Sequence, residues 1–184
     1  MSLGASMAGG NPKVARPLNN FYPTPDAVTQ TLLEAFNFNP DVHECACGNG
    51  AMARVLEAYG YNVIATDLAP QGYGKQADFF SITKPLANCI ITNPPFGPGP
   101  MARRFIEHAL DVLKVEQLAL VLKSTYWHAA NRQDLFRNHK PAAICPLTWR
   151  PDFLGLGRPT MEVMWCIWHR GHIGEPAYIP LNKL

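Results

Sequence analysis

The chain has 184 residues, a formal net charge of +2 and 47% hydrophobic residues. This length predicts one domain with a substantial buried core, and the small net charge argues against a chain that binds polyanions over its whole surface. No apolar run is long enough to span a membrane. The 5 cysteines, an odd number lying mostly in apolar runs, favour reduced core thiols over a disulfide framework. We therefore expect a cytoplasmic protein without membrane contact.

The N-terminal region is predicted to be a leader followed by a helix. Residues 1–20 are small, polar and proline-containing, which predicts a flexible leader, partly vector-derived. Thr24 and Pro25 then follow in the order typical of a helix N-cap and a first helical residue. Val28 and Leu32 continue at helical spacing, so we predict a helix of roughly three turns. A helix N-terminus favours anions, and Thr24 is therefore a candidate to meet a ligand carboxylate.

A glycine turn follows the first predicted strand, which runs from Val42 to Cys47. Gly48 and Gly50 form the turn, and an amphipathic helix comes next. Strand, glycine turn and helix in this order let a backbone approach a nucleotide closely. Asp67, at the end of the second predicted strand, lies 19 residues after Gly48, near the roughly 20 expected for a carboxylate that binds ribose hydroxyls. These positions predict a nucleoside site.

One possible metal-binding pattern occurs in the same segment. His43, Cys45 and Cys47 alternate along the predicted first strand, which would place all three on one face. No second pair of ligands with zinc-type spacing accompanies them. We therefore predict no metal site.

The most distinctive stretch is an apolar run, residues 88–92, followed by Asn93-Pro94-Pro95-Phe96 and by further glycine and proline. Such a run predicts a buried strand that ends abruptly. Both prolines lack an N–H group, and Pro95 restricts Pro94 to extended backbone, so the turn should be stiff. Open α/β sheets bind ligands at the carboxyl ends of their strands. The Asn93 amide oxygen, the Pro94 carbonyl and the Phe96 ring would there form a socket for a planar group bearing an NH2.

The rest of the chain alternates predicted helices and strands. Near-continuous apolar strands between helices predict an α/β protein with a mostly parallel sheet and helices on both faces. We count seven strands, including a short one before Asp78, and we expect residues 171–184 to be a loop-like C-terminal tail. The later predicted helices are residues 105–113 and 129–138, and the later predicted strands are residues 118–122, 142–145 and 161–168.

Basic residues are concentrated after the Asn93 turn. Residues 1–96 carry five Lys and Arg against seven Asp and Glu, whereas residues 97–170 carry ten against six. A basic rim suits a phosphate backbone better than it suits a protein substrate. Four basic residues are expected in or near loops at the same edge of the sheet as the turn, namely Lys123, Arg132, Arg150 and Arg158.

Asn93-Pro94-Pro95-Phe96 after an apolar strand resembles the motif of amino-group methyltransferases that use S-adenosylmethionine (SAM). The resemblance is strongest to small adenine-N6 DNA methyltransferases of phage and prophage type. The segment Glu44-Cys45-Ala46-Cys47-Gly48-Asn49-Gly50 is similar to the family's Glu-Pro-Ala-x-Gly-x-Gly loop, with Cys45 in place of the usual proline. Thr24-Pro25, Asp67 and Asp78-Phe79 stand in the family's order, so that the resemblance covers residues 21–170.

The resemblance implies a Rossmann-like SAM-methyltransferase fold whose last strand is an antiparallel edge strand. It implies that Asp67 binds the ribose of SAM, that Asp78 accepts from the adenine amino group, and that Phe79 lies against the adenine ring. The implied catalytic residues are Asn93, Pro94, Pro95 and Phe96, which hold and stack the target amino group. The implied cofactor-binding residues are Thr24, Pro25, Glu44, Ala46, Gly48, Asp67, Leu68, Asp78, Phe79 and Asn93.

The resemblance also implies a nucleic-acid partner, with DNA favoured over RNA. A target base in duplex DNA must leave the stack, and Trp149 or Phe153 would close over its free face. Candidate substrate-binding residues are Lys123, Arg132, Trp149, Arg150, Phe153 and Arg158. The 14 residues after Arg170 are too few for a recognition domain. Specificity is therefore expected to come from short loops, from an oligomer or partner, or to be absent.

Three other functions remain open at the level of the sequence. The same socket would serve an RNA methyltransferase acting on adenine N6 or guanine N2. A protein glutamine-amide methyltransferase uses a related turn, usually with tyrosine in place of Phe96. A SAM-binding or nucleic-acid-binding module without activity is the third, although such a module has no use for Asn93.

Overall fold

The computed structural model describes residues 22–96 and 100–184. The predicted leader and residues 97–99 lie outside the described residues. The helices are α1 (Asp26–Ala35), α2 (Ala51–Ala58), α3 (Met101–Glu107) and α4 (Gln133–Asn138). A π-helical turn, His108–Val112, continues α3, and 3-10 turns occur at Phe79–Ser81 and Ala130–Arg132.

The strands form one mixed sheet. They are β1 (Asp41–Glu44), β2 (Asn62–Asp67), β3 (Lys75–Gln76), β4 (Cys89–Thr92), β5 (Gln117–Lys123), β6 (Ala143–Pro146), β7 (Val163–His169) and β8 (Ala177–Tyr178). The strand order is β3-β2-β1-β4-β5-β7-β6-β8. Every pairing is parallel except those of β7 with β5 and β6.

Two hydrophobic cores cover the two faces of the sheet. Side chains alternate across a strand, so Cys89 and Ile91 of β4 face one core and Ile90 faces the other. Helices α1 and α2 pack on the first face, where the Trp165 indole N–H donates to the Val28 carbonyl at 2.9 Å. Helices α3 and α4 pack on the second face. The predicted α/β architecture, with helices on both faces of a mostly parallel sheet, is confirmed.

The sheet differs from the predicted one in strand number and in the place of its antiparallel strand. Among the residues that the structure describes it has eight strands rather than seven, because Ala177–Tyr178, within the segment expected to be a loop-like tail, pairs with β6. The antiparallel strand, β7, lies inside the sheet between β5 and β6 and is not an edge strand. Its continuous apolar sequence fits this interior position, since both of its faces are covered.

A topological switch point fixes where a ligand can bind. Strand β1 pairs with β2 on one side and with β4 on the other, so the strand order reverses between β1 and β4. The connections leave on opposite faces there and open a crevice at the carboxyl ends of the strands. In the described part of the chain no helix combines the length and the apolarity that a membrane crossing requires.

Candidate active site

A cavity of about 590 Å³ lies at this switch point. It opens at the carboxyl ends of β1, β2 and β4, where the glycine turn and the Asn93 turn both leave the sheet. The predicted site residues that line it are Thr24, Glu44, Ala46, Gly48, Asp67, Leu68, Asp78, Phe79, Asn93, Pro94, Pro95 and Phe96. The topology therefore gathers segments that are far apart in sequence around one space.

The side chain of Asn93 is oriented by Thr24. The Asn93 Nδ2 amide donates to Thr24 Oγ1 at 3.1 Å, and the Thr24 side chain is itself buried. Asn93 Oδ1 is buried and accepts no hydrogen bond from the residues that the structure describes. A buried acceptor without a donor costs roughly 1–3 kcal/mol. The turn thus holds an amide oxygen ready for a donor that a ligand would bring.

Thr24 is not the helix N-cap that the sequence predicted. Helix α1 begins at Asp26, Pro25 occupies the cap position in extended backbone, and no side chain caps the helix. Thr24 lies one residue before the cap position, and its hydroxyl accepts from the Asn93 amide instead of capping the helix. Pro25 does not line the cavity, so its place among the cofactor-binding residues is not supported by the geometry.

The Phe96 ring is half-buried at the cavity wall and packs edge-on against Tyr22. The ring centroids are 6.2 Å apart with an interplanar angle of 67°. Tyr22 is the one aromatic ring within the described residues that contacts Phe96. Tyr22 was not assigned a role from the sequence, although it stands two residues before Thr24.

The glycine turn is tied to the end of β2 by Asp67. The Gly48 N–H donates to Asp67 Oδ2 at 2.8 Å, and the Ala69 N–H donates to Oδ1 at 2.7 Å. Each carboxylate oxygen has two lone pairs, so each retains one site for a ligand hydroxyl. The spacing of Gly48 and Asp67 in the sequence thus corresponds to direct contact in the fold.

Position 50 requires glycine for two reasons, its backbone conformation and the close approach of Tyr73. Its φ is +79°, and a Cβ added there would lie 2.3 Å from Cγ of Tyr73. The Tyr73 ring is held in place, because its hydroxyl donates to Glu57 at 2.6 Å and the Arg54 guanidinium lies over it. The turn therefore admits no side chain at position 50.

We expect Gly50→Ala to destabilise the protein more than Gly60→Ala does. Gly60 has a similar φ of +89°, but a Cβ there would meet nothing within 4 Å. Gly60→Ala should therefore cost only the backbone strain, about 1–2 kcal/mol. Gly50→Ala should add overpacking of roughly 1–3 kcal/mol. Urea unfolding of both variants measures the difference, and equal losses would contradict the close approach of Tyr73.

Glu44 is a buried carboxyl group in the cavity wall. Its side chain is 1% exposed, and Oε1 accepts from the Thr92 hydroxyl at 2.7 Å. Oε2 has no hydrogen-bond partner within residues 22–96 and 100–184. Burial raises the pKa of Glu44 to about 8, with a smaller upward contribution from the charge of Asp67. Glu44 is therefore mainly protonated at neutral pH, and its strand β1 pairs with β4, the strand that leads into the Asn93 turn.

The Asp78 segment places a second aromatic ring in the cavity. Asp78 Oδ1 accepts from the Phe80 N–H at 3.0 Å. Phe79, the ring expected to lie against adenine, is only 3% exposed and stacks on Phe105 at 4.8 Å. Phe80 is less buried and also lines the cavity, and the Arg104 guanidinium lies 4.1 Å above its ring. Neither Phe80 nor Arg104 was predicted to line the site, although Phe80 directly follows Phe79.

The predicted substrate-binding residues do not line the cavity. Lys123 and Arg158 are exposed, and Arg150 forms an ion pair with Glu162 at 2.5 Å. The Arg132 guanidinium lies over the Tyr126 ring at 4.2 Å and donates to the Tyr126 carbonyl. Strand β5 ends at Lys123, so these groups belong to the sheet edge that carries the cavity.

Neither aromatic residue proposed to cover a target base lies at the cavity. Phe153 is 7% exposed and packs in the core beneath α1 and α2. Trp149 is half-buried and does not line the cavity. Phe153 is unable to stack on a ligand without leaving the core, which contradicts the prediction that it closes over a target base.

The alternating His43, Cys45 and Cys47 do not lie on one strand face. Strand β1 ends at Glu44, and only His43 belongs to it. His43 Nε2 pairs with Thr66 Oγ1 at 2.8 Å, and burial lowers the pKa of His43 to about 4. Within the described residues, no group of three or more His, Cys, Asp or Glu side chains could hold a metal ion.

Comparison with known proteins identifies the fold. No protein-family model and no curated protein matches the chain. A structure from Pyrococcus horikoshii, assigned as an RNA methyltransferase, is 13% identical with a TM-score of 0.64, over 85% of this chain and 90% of that one. A structure from Listeria monocytogenes, assigned as a class I SAM-dependent methyltransferase, is 14% identical with a TM-score of 0.59, over 98% of this chain and 71% of that one.

A third similar structure is the M protein of the type I restriction enzyme EcoKI. It is 15% identical with a TM-score of 0.60 over 88% of this chain, which spans 46% of the M protein. Identities this low establish likeness of fold. The chain therefore has the Rossmann-like fold of SAM-dependent methyltransferases.

Proposed function

We propose that the protein is a SAM-dependent methyltransferase that methylates an exocyclic amino group of a nucleic-acid base, with adenine N6 in DNA as the preferred target. The observation that carries this proposal is the Asn93 amide. Thr24 fixes its NH2 end and leaves Oδ1 as a buried acceptor at a cavity. An acceptor presented in this way suits a substrate that donates hydrogen bonds from an amino group.

The cavity fits SAM. Its volume of about 590 Å³ lies within the range of small-molecule sites. The glycine turn leaves room for close approach of the backbone, Asp67 retains acceptor capacity for ribose hydroxyls, and Glu44 Oε2 is unpartnered. When bound, SAM supplies an electrophilic methyl group.

The residues of this chain would act on the target amine by orientation and hydrogen bonding. The Asn93 amide oxygen and the Pro94 carbonyl oxygen accept hydrogen bonds from the two hydrogens of the target amine. Because both N–H bonds are then held in place, the direction of the nitrogen lone pair is fixed as well. Both bonds strengthen as positive charge develops on nitrogen, so they favour the transition state over the ground state. Phe96 stacks on the base, and the stiff Pro-Pro turn holds these groups in one geometry.

The proposal that the substrate is a nucleic acid rests on the charge near the cavity and on the activities assigned to similar structures. Lys123, Arg132 and Arg158 lie toward the edge that carries the cavity and form no ion pair with a described carboxylate. Similar structures include a protein assigned as an RNA methyltransferase and a restriction-enzyme M protein. A phosphate backbone is the partner that such basic groups fit best.

Transfer of tritium from methyl-labelled SAM tests the proposal. Duplex DNA, total RNA and a protein extract are incubated separately with the protein, and labelled nucleic acid is digested to nucleosides for chromatography. We expect label in DNA as N6-methyladenine and about 100-fold less label, or lower still, with Asn93→Ala. Label confined to RNA would correct the substrate, and label in protein alone, or in none of the three pools, would contradict the proposal.

Loss of the Asp67 charge should weaken SAM binding, and the asparagine NH2 group would also face one of the two backbone N–H groups that donate to Asp67. Asp67→Asn retains one carbonyl acceptor but removes the ionised hydrogen-bond partner, so we expect about tenfold weaker binding. Isothermal titration calorimetry with SAM measures the effect. Asp41→Asn, an exposed position at the opposite end of β1, is the matched control. Equal affinities of Asp67→Asn and wild type would remove the ribose assignment.

A further inference from the structure

The loop between β6 and β7, residues 147–162, lies beside the cavity edge of the sheet. Pro146 of β6 pairs with Met164, and Lys123 at the end of β5 pairs with Val163. Strand β4, which leads into the Asn93 turn, runs parallel to β5. The loop therefore leaves the sheet at the same edge as the Asn93 turn.

The base of this loop is fixed in place. Phe153 is buried in the core, and the Arg150–Glu162 ion pair joins the two ends of the loop. Asp152 accepts from the Gly157 N–H at 2.6 Å and from the Leu154 N–H at 3.3 Å. These N–H groups lower the pKa of Asp152, as expected for a carboxylate that holds a turn together.

The tip of the loop projects from the protein and carries two leucines. Leu154 is 42% exposed and Leu156 is 59% exposed. A Cβ added at Gly155 or Gly157 would meet no atom within 4 Å, so the tip stands clear of the neighbouring surface. Arg158 is exposed beside it and forms no ion pair with any described residue.

Single exposed leucines are common on protein surfaces. Leu154 and Leu156 lie together on a projecting tip whose base is held in place, and core packing does not explain their exposure. Arg158 lies beside them, and the candidate active site opens at the same edge of the sheet. Leucine is one of the side chains that proteins insert between base steps to unstack a duplex. The arginine would contact an adjacent phosphate and position the tip.

We propose that the tip, residues 154–158, enters duplex DNA beside the target nucleotide, where Leu154 and Leu156 unstack the base that enters the cavity. This inference rests on the proposed function, because it assigns a role in presenting the substrate of the same site. A single-stranded target is already unstacked and has less need of the tip. Duplex and single-stranded DNA should therefore respond differently to changes at the tip.

The test compares methyl transfer from tritiated SAM to one DNA sample before and after heat denaturation. The double variant Leu154→Ala/Leu156→Ala should lower the ratio of duplex to single-strand transfer about tenfold relative to wild type. Ile173→Ala is the matched control, since Ile173 is 95% exposed in the loop after β7, at the opposite edge of the sheet. That variant should keep the wild-type ratio.

The outcomes separate the two proposals. An unchanged ratio in the double variant, with an active wild type, overturns the role of the tip and leaves the proposed function standing. An equal fall in the ratio with Ile173→Ala also overturns it, because the effect would then not be local to the tip. A wild type that methylates neither form of DNA contradicts DNA as the substrate, and the role of the tip fails with it.

Discussion

Asn93→Ala should lower methyl transfer about 100-fold to 1,000-fold, the usual loss when one preorganised hydrogen-bonding group is removed from a transition state. The reason is the buried Oδ1 atom, which accepts from no described residue and is held in place through Thr24. SAM affinity should change little, because the cofactor-binding groups on β1 and β2 remain. Single-turnover transfer and calorimetry with SAM measure the two quantities separately.

Asn93→Asp separates the role of the acceptor from that of the amide group. The aspartate keeps an oxygen at the same place, and the Thr24 hydroxyl can turn to donate to it. We therefore expect it to lose less activity than Asn93→Ala. Asn138→Ala, an exposed position at the end of α4, is the control for asparagine removal. Equal losses in the two Asn93 variants would contradict the acceptor role of Oδ1.

Glu44→Gln should abolish a loss of stability that wild type suffers as the pH rises. The pKa of Glu44 is raised from 4.5 to about 8, so the folded chain holds a proton that the unfolded chain has released. The stability from this group is complete below pH 4.5 and is lost as the pH rises toward 8. Glutamine resembles the protonated carboxyl group in shape and does not titrate.

The free energy of unfolding should therefore diverge between the two proteins as the pH rises from 4.5 to about 8. From about pH 6.5 to 8.5, wild type should lose roughly 2 kcal/mol relative to Glu44→Gln. His43, Cys89, Cys145 and Cys166 titrate alike in both proteins, because the charge of Glu44 does not shift their pKa values, so their contributions cancel in the difference. Urea unfolding at several pH values measures it, with Glu175→Gln, whose side chain is 82% exposed, as the control. A constant difference across this range would show that Glu44 titrates normally.

The sequence predicted the fold best where burial follows from continuous apolar runs. Residues 89–92 and 117–123 lie in central strands whose two faces are both covered, so their apolar composition alone predicts them to be buried strands. The short strand β8 carries no such pattern, because Ala177 and Tyr178 are exposed and join the sheet only through backbone hydrogen bonds. A pairing of this kind depends on the completed sheet and leaves no periodic signal.

The candidate site was predictable as far as local motifs define it. The spacing of Gly48 and Asp67 corresponds to a direct hydrogen bond, because a strand, a turn and a helix of ordinary lengths bring these positions together. The contact between Thr24 and Asn93 joins residues 69 positions apart, and no local pattern encodes it. Phe153 was misjudged for the same reason, since a loop aromatic and a core aromatic look alike until tertiary packing is known.

The interior position of β7 has a consequence for synthesis on the ribosome. Until residues 163–169 emerge, β5 has a partner only in β4, and its other backbone edge is open in the middle of an unfinished, strongly apolar sheet. Open strand edges of this kind recruit other chains. Strand β6 is made earlier than β7, but it pairs with β7 and not with β5, so it is unable to cover the open edge of β5. A nascent chain therefore remains exposed to aggregation until β7 inserts.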